Sequence, residues 1–177
     1  MKKINLDEIL QAIEFQTDES LAVINKKTGE VYMITEEAIM YVEGDSESDC
    51  PEWIAELVEQ AKNYYENEDD FVNLPSKYEV GEYDMMQEFA ESLPDKLQRH
   101  NLLLALQGKG AFRRFKDTLI RFDIEKKWYD YRELEFIDIA LEWCRFEGLK
   151  IELNESQKRL IKLIKDNESR FESIEFI

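Results

Sequence analysis

Between Lys109 and Lys127 the sequence places seven basic residues, Lys109, Arg113, Arg114, Lys116, Arg121, Lys126 and Lys127, against three acidic ones, Asp117, Asp123 and Glu125. The segment carries +4 in a chain whose net charge is −17, so the remainder carries −21. Gly108 and Gly110 flank Lys109 and let a backbone come close to a ligand. A helix starting after them would offer unbonded N–H groups and the positive end of its dipole. Lys109, Arg113 and Arg114 sit next to that end, and Lys116 follows within a turn. This chemistry suits an anion. Gly108, Lys109, Gly110, Arg113, Arg114 and Lys116 are the residues expected to hold an anionic ligand or partner.

A second account of the same charges needs no ligand. Arg113, Asp117, Arg121 and Glu125 are spaced by four and alternate in sign, which lets them pair along one side of a helix. Lys109, Arg114 and Lys116 are then left without a local partner. Most charge runs are solvated or internally paired faces. The glycines do not match a phosphate-binding P-loop, which needs four residues between its first Gly and a Gly-Lys pair followed by Ser or Thr. Here Lys109 is followed by Gly110. No strand precedes the glycines, so the dinucleotide fingerprint fails as well.

Other chemistry-bearing residues give weaker signals. Asp45, Glu47, Asp49 and Glu56 fall in a calcium-loop frame, but Cys50 occupies the glycine position and Pro51 and Trp53 disturb the rest. The reading there is an acidic loop leading into a helix, with no metal site. His100 is the only histidine, and it has no nucleophile and acid placed to form a triad with it. Glu135 with Asp138 could serve metal-assisted hydrolysis; a polar helix face explains them more simply. Trp128, Tyr129 and Tyr131 could stack bases beside the basic groups, or plug a joint between helices, and the plug is the expected reading. Cys50 and Cys144 are too far apart in sequence to form a zinc pattern or a disulfide framework.

These side chains have to be held by the elements around them. Leu6–Phe15 reads as a helix with Leu6, Ile9, Leu10 and Ile13 on one stripe. Leu21–Asn25 and Glu30–Ile34 read as a hairpin, with Gly29 supplying the positive φ of the turn. Thr35 is placed to cap a short helix over Glu36–Val42. Pro51 opens a helix to Tyr65 with Trp53, Ile54, Leu57, Val58, Ala61 and Tyr65 facing inward. Phe71–Leu74, stopped by Pro75, could add a third strand. The second half reads as helical: Tyr83–Leu93, then Pro94-Asp95 opening a helix to Leu106, then Ala111–Ile124 with Phe112, Phe115, Leu119 and Phe122 as its core face. A link is expected at Trp128 and Tyr129, followed by a central helix over Tyr131–Glu147 that Gly148 ends. Asn154 with Gln157 forms a capping box for a basic helix to about Lys165. The tail carries Phe171, Ile174, Phe176 and Ile177, and is expected to dock on the domain or on a second copy.

Composition bounds what this assembly can be. The 177 residues are 44% hydrophobic and 12% aromatic, enough for a core without disulfides or metals. The net charge of −17 repels bulk nucleic acid and anionic membrane surfaces, so long duplex nucleic acid is not the expected partner. MKKINLDEIL has no signal-peptide core, and no apolar run approaches the roughly 18 residues of a membrane span. Cytoplasmic localisation is the default, with no membrane partner and no cofactor motif.

Several motifs then carry a resemblance. FAESLPD at Phe89–Asp95, LLLALQGKGAFRRFKDTL at Leu102–Leu119, KKWYDYR at Lys126–Arg132, IALEWCRFEGLKI at Ile139–Ile151 and the hairpin TGEVY at Thr28–Tyr32 resemble a widespread uncharacterised bacterial protein family. The likeness covers roughly residues 5–151. It implies no catalytic or ligand residues, but it makes the GKGAFRRFKD block look like the family's hallmark. The expected fold is α+β, a small antiparallel hairpin or three-stranded sheet packed on a predominantly helical C-terminal half. Residues 1–153 would form a single domain and 154–177 a helical, hydrophobic appendage. No catalytic constellation emerges, so a non-catalytic binding or regulatory protein is expected. Its partner would be an unknown protein or a small phosphate-bearing ligand at the basic segment 109–127, with room for a homo-oligomer. The alternative is an enzyme acting on a phosphate-bearing substrate at the same segment.

Overall fold

The computed structural model describes residues 3–44 and 50–166, with side chains up to residue 162. The chain divides into two compact units. The first comprises Met1–Val80 and Ile139–Leu153, the second Gly81–Asp138 and Asn154–Ile177. Asp45, Glu47 and Asp49 of the calcium-like frame, and the hydrophobic tail, lie outside the described residues. The fold class is α+β and mostly helical, as the pattern of elements predicts. Among the described residues, no helix is long and apolar enough to cross a membrane.

The first unit is built around a hairpin. β1 (Ile4–Asn5) leads into α1 (Leu6–Phe15), whose first turn is capped by Asn5 Oδ1 accepting from the Asp7 amide. β2 (Ser20–Asn25) and β3 (Val31–Thr35) pair antiparallel, Ser20 opposite Thr35 and Ile24 opposite Val31. The turn uses Gly29 at φ 76°. It is locked by Asn25, whose Oδ1 accepts from the amides of Lys27 at 2.9 Å and Thr28 at 3.1 Å. Thr35 Oγ1 accepts from the Ala38 amide and starts α2 (Glu36–Glu43), as expected of Thr before an apolar-periodic run. β4 (Phe71–Asn73) joins on the far side of β2, giving the order β3-β2-β4. The third strand that Phe71–Leu74 suggested is therefore present, and Pro75 falls just past it.

α3 (Ala55–Glu66) lays Val58 and Ala61 on this sheet, and with Ile54 they join Val23, Ile34, Ala38 and Phe71 in one apolar cluster. Two residues expected to face inward do not. Trp53 is 69% exposed and Tyr65 46%. Trp53 lies in a turn ahead of the first helical residue, so the 3.6-residue period that put it on the core face does not apply there. α4 (Lys77–Val80) closes this stretch, with Ser76 and Glu79 bonded reciprocally at its start. Later in the chain β5 (Ile151–Glu152) pairs parallel with β1.

The second unit is helical. α5 (Glu82–Ser92), α6 (Lys96–Ala105) and α7 (Ala111–Arg121) follow in sequence, α6 packing on both its neighbours. Asp95 caps α6, its Oδ1 accepting from the amides of Leu97 at 2.7 Å and Gln98 at 2.9 Å. α8 (Glu125–Phe146) begins in this unit and ends in the first. The link expected at Trp128 and Tyr129 is absent, and the break falls earlier, at Phe122–Ile124, where Asp123 takes φ 55°. Asp tolerates that left-handed turn better than most residues. Ile124, Trp128 and Tyr131 then continue as one buried helical stripe, which gives the indole a core position inside the helix. Phe89, Phe115, Trp128 and Tyr131 form an aromatic core, with ring centroids 5.1 Å apart for Phe115–Trp128 and 5.4 Å for Phe89–Trp128.

Gly148 (φ 67°) ends α8, with Leu149 N–H donating to Cys144 O and Gly148 N–H to Arg145 O. α9 (Glu155–Asp166) opens on the predicted capping box, Gln157 N–H to Asn154 Oδ1 at 2.9 Å and Asn154 N–H to Gln157 Oε1 at 2.8 Å.

Candidate partner-binding face on the basic helix

Gly108 and Gly110 both adopt positive φ, 78° and 77°, so the loop between α6 and α7 depends on glycine at two positions. A Cβ at Gly108 would meet open space, whereas one at Gly110 would meet an Arg114 guanidinium nitrogen at 3.3 Å. This guanidinium organises the loop. Arg114 Nε donates to Ala105 O at 3.1 Å, and Nη2 donates to Gln107 O at 2.5 Å and Gly108 O at 3.3 Å. Nη1 donates to Lys109 O. The last turn of α6 and the loop thus turn their carbonyls onto one cation, which satisfies groups that a helix C-terminus leaves unpaired.

The same device recurs one joint earlier. Arg99 Nε and Nη2 donate to Leu93 O at 3.0 and 2.6 Å, closing the end of α5. Both arginines reach back from a helix to the C-terminal end of the one before it.

The basic residues therefore divide by partner. Arg114 faces carbonyls. Arg121 Nη2 donates to Asn101 Oδ1 on α6 at 3.2 Å, and its guanidinium carbon lies 5.2 Å from the Phe122 ring centroid. Lys126 Nζ donates to Asp130 at 2.7 Å. The alternating ladder expected along α7 is realised only loosely, by Arg113 Nε at 3.9 Å from Asp117 Oδ2, with the Arg113 side chain 90% exposed. Lys109 and Lys116 are exposed. The candidate set is thus split. Gly108, Gly110 and Arg114 build the loop, while Lys109, Arg113 and Lys116 face water.

The exposed side of α7 also carries apolar groups. Phe115, Thr118 and Leu119 are buried. Phe112, expected in the core, is 45% exposed and rests against Tyr83 of α5, with ring centroids 6.5 Å apart. Phe122 is only half-buried, and Ile120 is 57% exposed. Residues 112, 116 and 120 are four apart and neighbours on a helix surface. Phe112, Lys116 and Ile120 therefore make a mixed stripe with Arg113 beside it. The expected core stripe of α7 passed over this second pattern, although the spacing of Phe112, Lys116 and Ile120 was its signal.

The family is settled by a match over most of the chain. The model of an uncharacterised protein family, UPF0158, matches residues 3–167. The chain belongs to that family. No curated protein and no solved structure matches it. All of α7 and the Arg114 loop of this UPF0158 protein lie inside the matched residues. The match extends past the roughly 5–151 suggested by the motifs and takes in α9.

Clefts lie elsewhere in the molecule. The first unit has an open one of about 640 Å³ between β3 and α3, lined by Glu30, Tyr32, Glu56, Glu59 and Glu66 with Lys62 among them. Its polar walls bond each other or the strand: Gln60 Oε1 accepts from the Met33 amide at 3.3 Å, and Asn63 Nδ2 donates to Tyr32 Oη at 3.0 Å. Among the described residues, no three His, Cys, Asp or Glu side chains are grouped to hold a metal ion. His100 is exposed on α6. Burial pushes the Cys144 thiol up to about 12, so that sulfur stays protonated and inert at neutral pH.

Proposed function

We propose that this UPF0158 protein is a non-catalytic binding or regulatory module, and that the exposed face of α7 receives an acidic segment of a partner protein. The observation that carries the reading is the stripe of Phe112, Lys116 and Ile120, flanked by Arg113, on a helix whose opposite side is core, with Lys109 exposed in the loop before it. Apolar and cationic groups alternate there. A protein segment with acidic and apolar residues answers both chemistries.

A small phosphate fits this geometry less well. Tight phosphate sites converge donors on one point. Here the bidentate fork nearest the helix start, Arg114, is committed to carbonyl oxygens, and Lys109, Arg113 and Lys116 spread along an exposed surface. An overall charge of −17 opposes long polyanions. A short segment that adds apolar contact is repelled less.

The test is a calorimetric binding screen with four probes: short Glu-rich peptides containing Phe or Leu, inorganic phosphate, mononucleotides and short single-stranded oligonucleotides. The full chain is compared with its Lys109→Ala/Lys116→Ala variant. The acidic peptides should bind, weaken as salt shortens the Debye length, and lose about tenfold in affinity in the variant, about 1.4 kcal/mol. Equal binding of every probe by the two folded proteins defeats the reading. Binding of phosphate and nucleotides alone would favour an enzyme acting on a phosphate-bearing substrate.

A further inference from the structure

We infer that the outer edge of β3 takes an added strand from a partner protein, an extended segment with basic side chains at alternate positions, and that Gln60 is the plug this strand displaces. The inference concerns the first unit and goes beyond the α7 reading, on which it does not depend. β3 is an outer strand of the order β3-β2-β4. In an antiparallel ladder, successive residues turn their main-chain groups alternately to one neighbour and to the other side. Asn25 N–H donates to Glu30 O at 2.9 Å and Glu36 N–H to Glu19 O at 3.1 Å, at the two ends of the hairpin. Between them the register sets Val23 opposite Tyr32 and Leu21 opposite Ile34. Tyr32 and Ile34 therefore bond toward β2, and Val31 and Met33 turn their N–H and C=O groups to the outer edge. Each offers one donor and one acceptor to a further strand. The Met33 N–H is covered by Gln60 Oε1 at 3.3 Å, just outside the usual range of such a bond.

The surface beside that edge selects the partner. Val31 lines the cleft of about 640 Å³ between β3 and α3 together with Glu30, Glu56, Glu59 and Glu66, against Lys62. Among the described residues, none of these four carboxylates has an ion-pair partner. The walls are polar and open to solvent, unlike the apolar enclosure that holds a small molecule. From Glu56 to Glu66 α3 runs about 15 Å, roughly the reach of four or five extended residues. Alternate side chains of an added strand share one face, so Lys or Arg at every second position would line up along the α3 carboxylates. The strand edge supplies the main-chain bonds, and the carboxylates choose the charge of what pairs with it. A second copy of this chain fits badly, because joining two β3 edges brings carboxylates against carboxylates.

The experiment uses the full chain and, as probe, a fluorescein-labelled KVKVKVK peptide followed by anisotropy. Three proteins are compared: the wild type, Glu56→Gln/Glu59→Gln/Glu66→Gln, and Gln60→Ala. Circular dichroism confirms that all are folded. The probe should bind the wild type and lose at least about tenfold in affinity for the glutamine variant. Gln60→Ala keeps the charge and uncovers the Met33 N–H, so it should bind the probe about threefold or more tightly than the wild type. A KPKPKPK probe has the same charge, but its prolines remove alternate N–H groups and fix a φ away from the strand value. It should bind the wild type at least about tenfold more weakly. In ¹⁵N spectra of the wild type, KVKVKVK should shift the Val31 and Met33 amides. Equal binding of the two probes means attraction by charge alone and overturns strand addition. Equal binding by the glutamine variant places the peptide on another acidic surface and overturns the site. An affinity unchanged by Gln60→Ala, unmoved Val31 and Met33 amides, or no binding at millimolar probe also overturns the inference. A sedimenting mass of two chains together with protection of the Val31 amide from exchange would assign the edge to a second copy, and overturns it as well.

Discussion

The two sides of α7 carry the same kinds of residue to different ends. On one side Arg114 and Arg121 turn to α6, to the carbonyls of Ala105, Gln107, Gly108 and Lys109 and to Asn101. On the other, Arg113 and Lys116 stand in water beside Phe112 and Ile120, and Lys109 is exposed in the loop before the helix. Adjacent arginines, 113 and 114, thus have opposite roles. A run of positive charge is a poor guide to a binding site until each cation's partner is known. Arg114 donates to the carbonyls of a joint, whereas Arg113 and Lys116 stay exposed to solvent.

Variants can break that contrast, starting from the core beneath it. Phe115 is fully buried against Phe89 and Trp128. Phe115→Ala should destabilise by about 3–5 kcal/mol, measured as a lower midpoint in urea unfolding. A neutral effect would mean that the aromatic cluster does not anchor α7.

Arg114→Ala should come next, at about 1–3 kcal/mol, because it strands carbonyl acceptors at the end of α6. Arg114→Lys should recover little of this, since one ammonium cannot reproduce the planar fork. Full recovery by lysine would show that charge alone is needed there. Gly110→Ala should cost about 1–2 kcal/mol, because φ of 77° is unfavourable for a side chain, and its new Cβ would crowd Arg114.

Arg113→Ala belongs at the other end of the scale. Its contact with Asp117 is 3.9 Å long and exposed, so the melting curve should shift by no more than about 0.5 kcal/mol. A loss comparable to that of Arg114→Ala would erase the distinction between the two sides.

Cysteine chemistry gives an independent check on burial. With Cys144 1% exposed and its pKa near 12, and Cys50 half-buried, Ellman's reagent at pH 8 should titrate one thiol quickly and the second only on unfolding. The unfolded thiol ionises from about 9 and the folded one near 12. The unfolded state therefore releases its proton first, and stability contributed by the neutral thiol is lost as pH climbs through that window.

What could be read from the sequence follows the range of the interactions. The Thr35 cap, the Gly29 turn, the Asn154–Gln157 box and the Gly148 stop each depend on a few neighbouring residues, so residue type alone marked them. The role of Arg114 left no mark, because its acceptors are main-chain carbonyls that every residue possesses. The pairing of β1 with β5 joins two-residue strands nearly the whole chain apart, too short for alternation to show. The break after α7 was placed at Trp128 because a run of aromatics looks like a plug between helices. The plug is real, but it lies inside α8, and one aspartate with positive φ makes the turn. Phe112 was assigned to the core by its spacing to Phe115 and Leu119, although the same residue also starts the exposed stripe with Lys116 and Ile120.

The central claim is that the exposed side of α7 binds. Its most direct test is a titration of the ¹⁵N-labelled protein with a Glu-rich, Phe-containing peptide, followed by amide chemical shifts. The account predicts perturbations centred on Phe112, Arg113, Lys116 and Ile120, weakening with salt, with Glu30–Tyr32 and the rest of the acidic cleft unmoved. Shifts confined to other surfaces, or an α7 that stays silent to millimolar peptide, would contradict it.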